Sequence, residues 1–265
     1  MTGRSLPPPL PIPPIFRSSM SDHAPEQLPS DPGAGVRRRQ QLEHHLRACP
    51  TDLDGYLELA RIYRTEQRPV EARRVLEQAR QVFPDEPRIV WELEEAILAR
   101  SLQQLREVRE LAERLRTPEA EHELDRARAD WSRRRLEVCR ARLGREPQRV
   151  GLKIAIAEAL IDDDRYQEAL GEVESLTDHE EFGCQAQLLR GRCFLTLGRD
   201  ADALPALRAA ALRRSLPPPP RVRSDALRLL VDTAERLGLA LSLERYRQQL
   251  AQAEAASDET AQGAP

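Results

Sequence analysis

Aromatic side chains make up only 4 % of the 265 residues, and the chain contains no asparagine and a single lysine, Lys153. A core built here must therefore be aliphatic and alanine-rich, and base stacking on aromatic platforms has almost nothing to work with. No run of 18 apolar residues occurs, so no transmembrane helix is expected. Alternating apolar and polar runs bounded by Asn-Gly or Asp-Gly turns are also missing, which leaves almost no strand signal. Neither the glycine-rich phosphate loops nor the H-E-x-x-H and G-x-S-x-G signatures appear. These absences point away from the common enzyme classes, and no cofactor or metal is expected. The balance of 41 basic and 44 acidic residues gives a net charge of −3, which argues against a generic nucleic-acid binder. Four cysteines, Cys49, Cys139, Cys184 and Cys193, form no C-x-x-C pair. They read as thiols of a reduced, cytoplasmic chain.

What is present divides into three parts. Residues 1–35 hold nine of the 21 prolines, including the run Leu6 to Pro14, and favour polyproline II over packed structure. This stretch reads as a disordered leader, an upstream extension before Met20, or a ligand for a proline-recognising groove. Residues 36–257 carry helical periodicity punctuated by Pro50, Pro84, Pro87, Pro118, Pro147, Gly198 and the run Pro217 to Pro220. Residues 258–265 are small and polar and read as a frayed tail.

The helical part repeats itself. Three windows, opening at Leu53, Val150 and Cys184, fit one template of 34 residues. Small residues stand at its eighth position (Ala60, Ala157, Gly191) and bulky ones three further on (Tyr63, Leu160, Phe194). Small residues recur at the twentieth (Ala72, Ala169, Ala203). That spacing lets two antiparallel helices approach closely, with the bulky residue filling the gap beside the contact. One pair cannot bury both its faces, so neighbours must stack.

These windows resemble tetratricopeptide repeats, most strongly in Tyr56-x-x-Leu59-Ala60-x-x-Tyr63 followed by Ala72, Ala79 and Pro84. Lys153 and Gln187 depart from the usual large apolar fourth position, and Glu181 stands where proline often closes the repeat. The resemblance implies an all-α fold, a right-handed helical superhelix of tetratricopeptide type. Residues 36–50 read as a lone second helix that opens the array, and 224–255 as a final pair broken near Gly238. Residues 87–147 span 61 positions where 34 would suffice. They read as an elongated central helical hairpin, or as two diverged repeats. The hairpin reading gives one helix over 88–116, a start at Thr117-Pro118, and a seam of Ala120, Leu124, Ala127, Trp131, Val138 and Ala141.

By the same resemblance, first helices line a concave groove through template positions 5, 9 and 12. The candidate partner-binding residues are Leu57, Arg61, Arg64, Trp91, Glu95, Leu98, Ile154, Glu158, Ile161, Leu188, Arg192 and Leu195. They suit an extended peptide or an amphipathic helix. The lysine and asparagine clamp with which such repeats grip a C-terminal carboxylate is missing. The chain is thus expected to be a non-enzymatic scaffold for a protein or peptide partner. The alternatives are a regulatory subunit of an enzyme on another chain, or an arginine-mediated binder of nucleic acid or an anionic surface. Arg37–Arg39 and Arg133–Arg135 read as solvated helix faces, and Asp162–Asp164 as a solvated turn. His45 and Cys49 sit four apart on one helix, two ligands short of a metal site.

Overall fold

The computed structural model describes residues 32–212 and 217–262, and their side chains over 35–212 and 217–255. Positions 1–31 and 263–265 of the expected leader and tail lie outside the described residues. Among the described residues the chain is helical, with no strand. The helices are α1 (Pro32–Ala48), α2 (Leu53–Thr65), α3 (Pro69–Val82), α4 (Pro87–Leu115), α5 (Pro118–Arg145), α6 (Leu152–Asp162), α7 (Tyr166–Glu174), α8 (Gly183–Thr196), α9 (Asp200–Leu212), α10 (Pro220–Arg236) and α11 (Ala240–Gln262). Two compact units divide them, residues 1–134 and 135–265. No described helix is long and apolar enough to cross a membrane.

Local chemistry explains most boundaries. The Asp52 carboxylate accepts from Gly55 N at 3.0 Å and caps α2. Proline at the first helical position opens α3, α4 and α10, where its missing N–H costs nothing. Ala120 N donates to Thr117 Oγ1 at 3.3 Å at the start of α5. α1 begins at Pro32, four residues before the expected start, and α11 runs through Gln262.

A left-handed residue marks the turn inside each pair. Gln67 (φ 59°), Asp164 (φ 60°), Gly198 (φ 73°) and Gly238 (φ 66°) occupy it. The first three fall at the fifteenth position of their windows, so the backbone repeats with the sequence. The corresponding position after Gln67 would be Ser101, which is buried in the middle of α4. The left-handed residue comes instead at Arg116 (φ 51°), 15 residues later. At 3.6 residues per turn this is about four extra turns. α4 is one uninterrupted helix of 29 residues and α5 one of 28.

Each unit packs through its small positions. In the first, Ala60, Ala72 and Ala79 are fully buried beside Leu59, Tyr63, Leu76 and Ile89. Tyr63 also donates to Glu43 Oε1 of α1 at 2.6 Å and lies under the guanidinium of Arg68, 5.0 Å from the ring centre. In the second unit Ala203, Leu207 and Ala210 of α9 join Leu188 and Phe194 of α8 and Leu227 and Leu230 of α10. Two readings are corrected here. Ala141 is exposed rather than on the α5 seam. Arg135, read as solvated, is only 4 % exposed.

Candidate functional site

The expected groove residues fall into two groups, because a first helix is packed on more than one side. Leu57 lies in the core with residues of α1, α3 and α4, and Leu188 with residues of α9 and α10. Leu98 and Ile154 are buried as well. These four apolar side chains are used by the fold itself, so the expected apolar strip is largely internal. Arg61 remains exposed, while Arg64, Trp91, Glu95, Ile161, Arg192 and Leu195 are half-buried. The surface that results is more charged than the apolar strip read from the sequence.

In the first unit this surface is an ion-pair cluster between two first helices. Arg64 of α2 reaches Glu92 Oε2 of α4 at 2.8 Å and Glu95 Oε2 at 3.7 Å. Arg61 touches the other Glu92 oxygen at 3.4 Å, with its side chain 60 % exposed. Glu92 lies one position beyond Trp91 and was not singled out in the sequence. Its signal was its register: template position 6 holds Glu58, Glu92, Ala155 and Leu189, and only burial reveals which of these matters. Arg88 extends the cluster, bonding Glu86 at 2.9 Å and Asp54 of α2 at 3.1 Å. It holds the Glu86 carboxyl below the usual carboxylate range.

In the second unit template position 9 carries a buried carboxylate, Glu158, at the centre of another charge cluster. The guanidinium of Arg135, from the C-terminal part of α5, donates to the Glu158 carboxylate of α6. Its other terminal nitrogen stands 3.8 Å from Asp162 Oδ2. Gln185 of α8 donates to Glu158 Oε1 at 3.0 Å. Loss of hydration raises the Asp162 pKa above the usual value. Arg135 and Arg192 oppose that rise, and Glu158 adds to it. Of the acidic run read as a turn, Asp163 and Asp164 form the α6–α7 turn, whereas Asp162 is the last residue of α6. Asp163 pairs with Arg165 at 3.5 Å, and Asp164 accepts from the Tyr166 hydroxyl. Template position 9 is charged in every window, as Arg61, Glu95, Glu158 and Arg192.

The remaining constellations are structural. His45 Nε2 lies 3.0 Å from Asp52 Oδ2, tying the end of α1 to the cap of α2, and Cys49 is exposed. Burial pushes the Cys193 thiol up to about 12. Among the described residues no group of three His, Cys, Asp or Glu side chains is placed to hold a metal ion.

Comparison with known proteins matches these elements. Residues 53–98, which cover α2, α3 and the first turns of α4, match the tetratricopeptide repeat family. No curated protein matches the chain. Among solved structures, it is similar to PilW, a widely conserved type IV pilus biogenesis factor. Identity is 16 %, over 82 % of this chain and 85 % of that one, with a TM-score of 0.43. A thermophilic TPR protein of Thermus thermophilus is 17 % identical over 75 % of this chain and 98 % of its own, with a TM-score of 0.35. Residues 53–98 thus carry a tetratricopeptide repeat, and the buried small positions and the left-handed turn at the fifteenth position return in the windows that open at Val150 and Cys184, so the fold is an all-α helical repeat of tetratricopeptide type.

Proposed function

We propose that the chain is a non-enzymatic scaffold that takes up an extended peptide or a helix of a protein partner along its first-helix faces, in the cytoplasm. The tetratricopeptide fold itself supports a role in protein–protein interaction. The observation that carries the finer reading is the unequal use of two arginines by one carboxylate. Arg64 holds Glu92 at 2.8 Å, whereas Arg61 meets it at 3.4 Å and is mostly solvated. Arg61 can therefore turn to an incoming carboxylate or carbonyl without leaving Glu92 unpaired. Trp91, on the next first helix, supplies a rigid aromatic surface of the kind that concentrates binding energy. The contact set is thus Arg61, Arg64, Trp91 and Glu95 in one unit and Ile161, Arg192 and Leu195 in the other. Leu57, Leu98, Ile154 and Glu158 support these residues from within.

Partner capture from native extract by the full chain tests this reading. Trp91→Ala should weaken capture by about 2 kcal/mol, roughly thirtyfold, with circular dichroism unchanged. Arg61→Ala and Arg192→Ala should weaken it less, and their effect should shrink in high salt. Full retention by the triple variant would remove the first-helix faces from the mechanism. Capture of a labelled oligonucleotide, lost steeply with salt, would favour the arginine-mediated alternative.

A further inference from the structure

Arg192 of α8 is half-buried, and among the described residues its guanidinium makes no hydrogen bond and no ion pair. The repeat shows what it lacks. Arg61 and Arg192 both stand at template position 9. Arg61 of α2 meets Glu92 of the next first helix, α4, at 3.4 Å, and Glu92 stands at position 6. In the last pair the left-handed Gly238, taken as the fifteenth position, makes the window open at Ser224. Position 6 of α10 is then Leu229, which packs against the apolar core of the second unit. Where the first unit sets a carboxylate before its arginine, the second unit sets a leucine.

The carboxylates around Arg192 are engaged elsewhere or stand off it. Glu158 of α6 accepts from Arg135 and from Gln185. Asp162 has the Arg135 guanidinium at 3.8 Å, and Arg192 acts on it through space without forming an ion pair. Asp232 is exposed and stands at position 9 of α10. Arg64 and Glu95, 3.7 Å apart, show that position 9 of one first helix answers position 12 of the one before it. By that register Asp232 falls opposite Leu195 rather than Arg192.

We infer that Arg192 is the subsite at which the second unit takes an aspartate or glutamate side chain of the bound peptide or helix. The inference rests on the groove reading and names the chemistry of its ligand at one position. A half-buried arginine has lost part of its hydration, and a carboxylate makes that good through two parallel hydrogen bonds. The ligand carboxylate occupies the place that Glu92 fills beside Arg61 in the first unit. Leu195, three residues on along α8 and half-buried, lies on the same helical face. It takes an apolar side chain of the same ligand, three or four residues from the acidic one in a helix, or two in an extended chain.

The test selects random dodecapeptides on the immobilised full chain, displayed on phage with their C-termini fused to the coat protein. Only side chains can then offer a carboxylate. Wild type should enrich peptides with an acidic residue at a fixed spacing from an apolar one. The consensus peptide, labelled and amidated at its C-terminus, should bind Arg192→Gln about tenfold more weakly. Replacing its acidic residue by the matching amide should cost a similar factor against wild type. The two losses should not multiply, because they remove one and the same contact. The urea midpoint of Arg192→Gln should stay at the wild-type value, since no bond within the fold is lost. A consensus without an acidic residue, or losses that multiply, overturns the inference and leaves the groove reading in place. A marked fall in the urea midpoint also overturns it, because Arg192 then serves the fold. If no peptide is enriched, or if binding ignores both Arg192→Gln and Leu195→Ser, the groove reading of the second unit fails and the inference with it.

Discussion

Gly191 of α8 packs directly onto Leu207 of α9: a Cβ placed on the glycine would stand 2.6 Å from the leucine Cγ. Leu207 is fully buried, so it has no free direction in which to yield. Gly191→Ala gains up to about 1 kcal/mol in helix propensity but overpacks the seam by about 1–3 kcal/mol. The net effect should be a loss of stability, and Gly191→Val should lose more. Urea unfolding of both variants checks this, and a stabilised Gly191→Ala would contradict the close approach. Gly198, seven residues on, is a control of a different kind. Its φ is 73° and nothing lies within 4 Å of its added Cβ. Gly198→Ala should cost about 1 kcal/mol through the backbone alone.

Arg135 and Glu158 form an ion pair that is 4 % and 6 % exposed. Removing one partner strands a buried charge, so Arg135→Met or Glu158→Leu should each destabilise by about 3–5 kcal/mol. The double variant should recover most of that loss, because hydrophobic replacement of a whole buried pair is often close to neutral. A double-mutant cycle by chemical denaturation gives the coupling. Additive losses would mean that the two groups do not sense each other.

Tyr63 and Tyr166 have phenol pKa values raised to about 12. Loss of hydration is the main cause in each, followed by hydrogen bonds donated to Glu43 and Asp164. The folded state therefore keeps these protons at a pH where an unfolded tyrosine, with its pKa near 10, has lost them. Their contribution is complete below about pH 10 and disappears as the pH rises toward 12. Thermal unfolding followed from pH 9 to 11.5 should show a falling Tm. The slope should flatten in Tyr63→Phe and Tyr166→Phe.

Exposed Cys49 and buried Cys139, Cys184 and Cys193 should separate by reactivity. Under native conditions Ellman's reagent should modify one thiol quickly, and Cys49→Ser should abolish that phase. A fast phase surviving in Cys49→Ser would place one of the other three at the surface.

The repeat was legible because its signal lies in backbone proximity. Ala60, Ala72, Ala157, Ala169, Gly191 and Ala203 are small for a reason that spacing alone exposes, and the structure buries every one of them. The groove was less legible, because template position does not tell which flank of a first helix its neighbours cover. Leu57 and Leu188 share position 5 with Trp91, yet two are buried and one is half open. Arg135 was misread for a related reason. Its exposed neighbours Arg133 and Arg134 make the run look uniform, while helical rotation turns one residue in three inward.

The four added turns of α4 also bear on how such a pair changes length. Fifteen residues of helix rotate the chain through four turns and about a sixth of another, so side chains beyond the addition keep nearly their former bearing. The next window opens at Val150, 29 residues later than a 34-residue step from Pro87 would place it, which is close to eight turns in all. Additions of this size act like a telescoping joint that extends without twisting. Excisions of whole turns from α4 would then shorten it while leaving the side chains beyond the cut nearly in phase, whereas excisions of two residues would turn its apolar face away.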